Sequence, residues 1–128
     1  MGSYKIYRGR ALQVALQEVT LPVQVYYVAV DQPEVATMAA LADLMALTPH
    51  LAVMTQQDPG APADRVIVQA ANGRELVFAG PPLGAELAAL FSAIVVAGRG
   101  DSGLAAATRQ ALAHLSKPVH IEVFTTPT

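Results

Sequence analysis

The run Val23-Gln-Val-Tyr-Tyr-Val-Ala-Val30 limits the fold of this chain more than any other feature. It is β-branched and aromatic, and Gln24 is its one clearly polar residue. Such a strand is expected at the centre of a sheet covered on both faces, because a solvated face would impose alternation. Directly behind it, Asp31-Gln-Pro-Glu34 reads as a helix start: a capping Asp, an early proline and a Glu three residues on. The pattern predicts a helix to about Leu47 that buries Val35, Met38, Leu41, Ala42 and Met45, ended by Thr48-Pro49. His50 to Thr55 then reads as a second strand. It follows a strand–helix unit closely enough to run parallel to the first.

Upstream, Arg10 to Thr20 reads as a helix with Leu12, Ala15, Leu16 and Val19 on one side, stopped by Pro22. Downstream, Asp58-Pro-Gly-Ala-Pro62 is a loop of turn formers. Arg65–Gln69 and Arg74–Phe78 flank Ala71-Asn72-Gly73, and Asn-Gly between two such runs signals a hairpin, since both residues accept positive φ. Phe78-Ala-Gly-Pro-Pro-Leu-Gly-Ala-Glu-Leu87 is a corner from that strand into a helix over about Leu83 to Val96. Pro81 and Pro82 suit a first helical turn, which needs no N–H there. Glu86 falls near the positive end of the helix dipole. Leu83, Leu87, Leu90, Phe91, Ile94 and Val95 form the apolar face. Residues 10–97 thus spell α-β-α-β-β-β-α, a βαβ unit followed by a ββα unit. Residues 98–103 read as a linker, Leu104 to Leu115 as an amphipathic helix, and Val119 to Phe124 as a further strand.

The totals bound the function. The 128 residues allow one domain, or one domain plus a fragment of the next. Eight basic against ten acidic residues leave no nucleic-acid footprint. Lys5, Arg8 and Arg10 read as a solvated arm. No stretch has the uninterrupted apolar length of a membrane span, and the start lacks the apolar core of a signal peptide, so a cytoplasmic location is the default expectation. Hydrophobic residues at 53% against 14% charged are high for a chain standing alone, which implies a surface that expects a partner. There is no cysteine, which excludes disulfides, thiol chemistry and cysteine-ligated zinc in this chain.

Three short motifs compete for attention. Gly98-x-Gly100-x-x-Gly103 has dinucleotide-fingerprint spacing, but the preceding Ala93–Gly98 continues the helical period, and no acid ends the following strand. Arg99-Gly-Asp-Ser102 and Gly100-Asp-Ser-Gly103 are better explained by a turn capped by Asp101 or Ser102. His50, His114 and His120 are scattered without metal-ligand spacing, and read as structural or surface residues. No catalytic, cofactor-binding or metal-binding residue is expected.

Phe78-Ala79-Gly80-x-Pro82-Leu83-Gly84-x-Glu86 resembles the first unit of the N-terminal tandem-thioredoxin domain in the flavoprotein subunit of alkyl hydroperoxide reductase. It is also similar to the glutaredoxin-like protein disulfide oxidoreductases. A second point of likeness is Lys117-Pro-Val-His-Ile-Glu, which repeats the pattern of Leu21-Pro-Val-Gln-Val-Tyr behind an amphipathic helix, and runs into Phe124-Thr-Thr-Pro-Thr128. The resemblance implies an α/β thioredoxin-like fold, βαβ-ββα, with a mixed four-stranded sheet flanked by helices. It implies a cysteine-free unit over 1–98, a linker and connecting helix over 99–116, and over 117–128 the opening strand of a second, truncated unit.

In those families the second unit carries the Cys-x-x-Cys, and the flavoprotein relays electrons from NADH through FAD to a peroxiredoxin. The resemblance therefore implies a non-catalytic module, inactive alone, packed against a second thioredoxin-like unit in cis and presenting Glu86 near that partner's thiol. FAD, NADH and the peroxiredoxin would belong to a longer parent. The alternatives are a stand-alone interaction or scaffold domain that self-associates, and a nucleotide-binding fragment using Gly98, Gly100 and Gly103. Loss of a neighbour predicts a homo-oligomer through the exposed face or edge, with exchange of strand 119–124 as one route.

Overall fold

The computed structural model describes residues 9–101, 103–119 and 121. Its elements are α1 (Gly9–Leu16), β1 (Val23–Ala29), α2 (Val35–Leu47), β2 (Leu51–Gln57), β3 (Arg65–Gln69), β4 (Glu75–Ala79), α3 (Ala85–Arg99) and α4 (Ala106–Ala113). The sheet order is β2-β1-β3-β4. β2 runs parallel to β1, starting at Val23↔Leu51, while β1–β3 and β3–β4 are antiparallel. A four-stranded mixed sheet with a right-ordered βαβ and ββα is a thioredoxin-like arrangement. The predicted strands and helices over 10–97 all form, with shifts of a few residues at their ends.

The core lies on one face of that sheet. Val23, Val25, Tyr27 and Ala29 of β1, Leu51 of β2, and Val66 and Val68 of β3 point into it. Leu16 and Val19 close it from the α1 side; Ala40, Leu41 and Leu44 come from α2, and Leu87, Leu90, Phe91, Ile94 and Val95 from α3. Burying one such Leu or Phe contributes roughly 1.5–3 kcal/mol. The α3 face is the one its spacing predicts, with Leu83 left just outside the helix. β1 is central, as its composition predicts, but the helices among the described residues cover only one of its faces. The other face is built from the alternate residues, among them Tyr26, Met54, Ile67 and Val77.

The α2 face differs from expectation. Thr37, Ala40, Leu41 and Leu44 are buried, whereas Val35 is 79% exposed, Met45 is 38% exposed and Ala42 is exposed. This helix is apolar nearly all round, so periodicity gives no preferred direction, and the sheet chose the side. Its N-cap is Glu34, with no side-chain capping bond, so the Asp31–Glu34 capping box does not form. Pro81 and Pro82 precede the first turn of α3 rather than occupy it, and Gly84, at φ +54, starts that helix.

The β3–β4 hairpin closes through Ala70 N–H to Arg74 O and Gly73 N–H to Ala70 O. Only Gly73 takes a positive φ, +86. Asn72 keeps a negative φ and accepts the Arg74 N–H through its Oδ1 at 3.0 Å. The loop is therefore a three-residue turn with a left-handed glycine, not the two-residue form in which both central residues are left-handed. Asp101 does not cap α4, whose N-cap is Ala105. Lys5 and Arg8, Ser102, His120 and, apart from Val119 and Ile121, the strand predicted over Val119–Phe124 lie outside the described residues. Among the described residues, no helix is long and apolar enough to cross a membrane.

Candidate functional site

In open α/β sheets ligands gather at the carboxyl ends of the strands. Here β1, β2 and β4 share one direction, so that end collects the starts of α2 and α3 and the β2–β3 loop. It is tied together by a polar knot. The Tyr27 hydroxyl donates to Asp64 Oδ2 at 2.6 Å and accepts the Glu34 N–H at 2.9 Å. Asp64 Oδ1 accepts the Val30 N–H at 2.9 Å, and the Asp64 carbonyl accepts the Gly80 N–H at 2.7 Å. Asp58 N–H donates to Ala29 O at 2.8 Å, and Gln57 Nε2 to Asp31 O at 3.1 Å. A buried Tyr must find a partner for its hydroxyl, and Asp64, just ahead of β3, is that partner.

Burial, and then the hydrogen bond to Asp64, push the Tyr27 hydroxyl up to about 12. An unfolded tyrosine titrates near 10. The folded state therefore holds this proton more tightly, and that stabilisation is intact below pH 10 and lost as pH rises through 12. Urea titrations across this window should show stability falling in the wild type and a flatter profile in Tyr27→Phe. Superimposable profiles would remove Tyr27 as the cause.

The corner residues meet the same end. Phe78 is half-buried against the core, Ala79 ends β4, and Gly80 turns the chain at φ +102. Pro82 is buried, and its carbonyl accepts the hydroxyl of Thr37, in the first turn of α2, at 2.8 Å. That bond locks the start of α3 to the start of α2. Leu83 and Glu86 are half-buried, Gly84 is exposed, and Glu86 sits in the first turn of α3 as expected from the sequence. The resemblance drew attention to Glu86 and missed Tyr27, Thr37 and Asp64. A tyrosine at an inward-facing position of an apolar strand, beside Tyr26, was the available signal for the first.

Where thioredoxin-like oxidoreductases place a dithiol, behind a strand and at the start of the next helix, this chain has Asp31-Gln-Pro-Glu34 behind β1. Gly98, Gly100 and Gly103 are accounted for without a nucleotide. Gly98 is inside α3, Gly100 ends that helix at φ +72, and Gly103 turns at φ +76. Ser92 to Gly98 are helical, so no strand-to-helix turn carries the fingerprint. His50 and His114 are exposed, and the His114 ring Nδ1 lies 2.7 Å from Gln110 O. Among the described residues no group of three His, Cys, Asp or Glu could hold a metal ion. A groove of about 500 Å³ lies at the opposite end, between the α1–β1 connection and Thr48–His50. No protein-family model matches the chain, and no curated protein matches it.

Proposed function

We propose that this chain is a non-catalytic thioredoxin-like module of a thiol–disulfide oxidoreductase, supporting a Cys-x-x-Cys unit that it does not itself contain. The observation that carries this reading is the strand-to-helix position behind β1. It is closed by the Tyr27–Asp64–Glu34 hydrogen bonds, in a chain without cysteine. Glu86, half-buried at the same end, is the carboxylate offered to a partner thiol. A carboxylate beside a thiol disfavours the thiolate and raises the thiol pKa, which slows premature attack. FAD, NADH and a peroxiredoxin enter only through a parent assembly, and the chain alone has no reductase activity.

The test joins the chain by a flexible linker to a dithiol unit of the glutaredoxin-like protein disulfide oxidoreductase type. The nucleophilic thiolate is then titrated by its ultraviolet absorbance. The expected result is a thiol pKa raised by the linked chain and returned toward that of the isolated unit by Glu86→Gln. Identical titrations with and without the chain would refute the role. The other reading, a self-associating interaction domain, is favoured by a separate observation on the sheet.

A further inference from the structure

One face of the sheet carries no helix among the described residues, and that face is patterned. Register places Met54, Tyr26, Ile67 and Val77 side by side, one from each strand, as a single apolar row across all four strands. Met54 is 52% and Val77 58% exposed. The row on one side is polar at three of four positions, Ala52, Gln24, Gln69 and Glu75, and the row on the other at two of four, Gln56, Val28, Arg65 and Ala79. Val28 is buried there, opposite Arg65, whose guanidinium reaches Asp58 at 3.7 Å. The apolar composition of β1 asks for cover on both faces, and no helix of the described residues lies on this one.

The same chain holds a helix without a sheet. No residue of α4 is buried, and Leu112 and Leu115 are 52% and 56% exposed. Thr108, Ala111 and Leu112 share one side, with Leu115 just beyond the helix, and four of its eight residues are alanine, which permits close approach to a sheet. A helix this short is marginal in water unless it packs. Its course is set locally. Asp101 accepts from Arg109 Nη2 and from the Gly103 N–H at 3.1 Å, and its carbonyl accepts from Arg99 Nε at 2.8 Å. This corner holds α4 as an arm. The dimensions are comparable: four strands span about 14 Å from first to last at their usual spacing, and the eight residues of α4 rise about 12 Å.

We propose that α4 of a second copy of this chain docks on the Met54–Tyr26–Ile67–Val77 row, and that the exchange is mutual in a two-fold dimer. One chain supplies both unsatisfied surfaces, so a two-fold axis satisfies all four at once. The inference is independent of the redox reading, because it uses the sheet face and not the end where Glu86 lies. The absence of cysteine makes the test clean. Val77→Cys and Leu112→Cys chains are purified separately, mixed and oxidised, while light scattering follows mass. The expected product is chiefly the mixed disulfide dimer rather than either homodimer. Val77→Lys and Leu112→Lys should each raise the dimer dissociation constant at least tenfold, about 1.4 kcal/mol, with unchanged circular dichroism. A monomer at millimolar concentration would overturn the proposal. So would predominant Val77→Cys homodimers, or ring closure within a chain carrying both substitutions.

Discussion

Replacing Gly98 with alanine is expected to destabilise the fold by roughly 1–3 kcal/mol, although the position is helical. Helix propensity alone predicts the opposite sign, a gain near 1 kcal/mol. Packing decides. A Cβ on Gly98 would stand 2.5 Å from Val19 Cγ1 and 3.0 Å from Val19 Cβ. Val19 is 3% exposed and β-branched, so it has neither space nor rotamers with which to yield. Backing the helix away would stretch the bonds from the Thr20 and Leu21 N–H groups to the Gly98 carbonyl, at 3.1 and 2.9 Å. Those two bonds pin the α1–β1 connection to the last turn of α3. The check is the urea midpoint, read together with Val19→Ala and the double variant. The double variant should be more stable than the sum of the singles by about 1 kcal/mol or more, the signature of two groups sharing one space. A stabilised Gly98→Ala protein would contradict the close approach.

The second large effect belongs to Asp64. Asp64→Ala removes the acceptor of both the Tyr27 hydroxyl and the Val30 N–H. Each buried donor left unsatisfied costs about 1–3 kcal/mol, so a loss near 3 kcal/mol is expected. Asp64→Asn keeps an acceptor for Val30 but turns an amide toward a hydroxyl already accepting from Glu34, and should cost less. Tyr27→Phe in the Asp64→Ala background should add little, because the hydroxyl's donor bond is already gone. Chemical denaturation of the three variants, with hydrogen exchange at the Glu34 amide, measures the coupling. Strict additivity would mean that the knot is not a unit.

Much of this molecule was written in local signals. The Val23–Val30 run, the Asn72-Gly73 turn and the 3.6-residue period from Leu83 onward depend on neighbours in sequence. The order of strands and helices over 10–97, and the buried face of α3, followed from them. The helical period through Gly98 likewise pointed away from a nucleotide loop, and Glu86 stood in the first turn of α3 where its position predicts.

What the chain could not announce was settled between distant segments. α2 is apolar nearly all round, so only contact with the sheet could bury Thr37 and Leu44 and leave Val35 and Met45 outside. The Tyr27–Asp64 bond joins residues 37 positions apart, and the closeness of Val19 to Gly98 spans a still longer stretch. The choice of sheet face by the helices has the same origin. Composition told that β1 is apolar on both sides, but which side the described helices take is a property of three-dimensional packing. Periodicity records which residues share a face; only tertiary contact determines what lies against it.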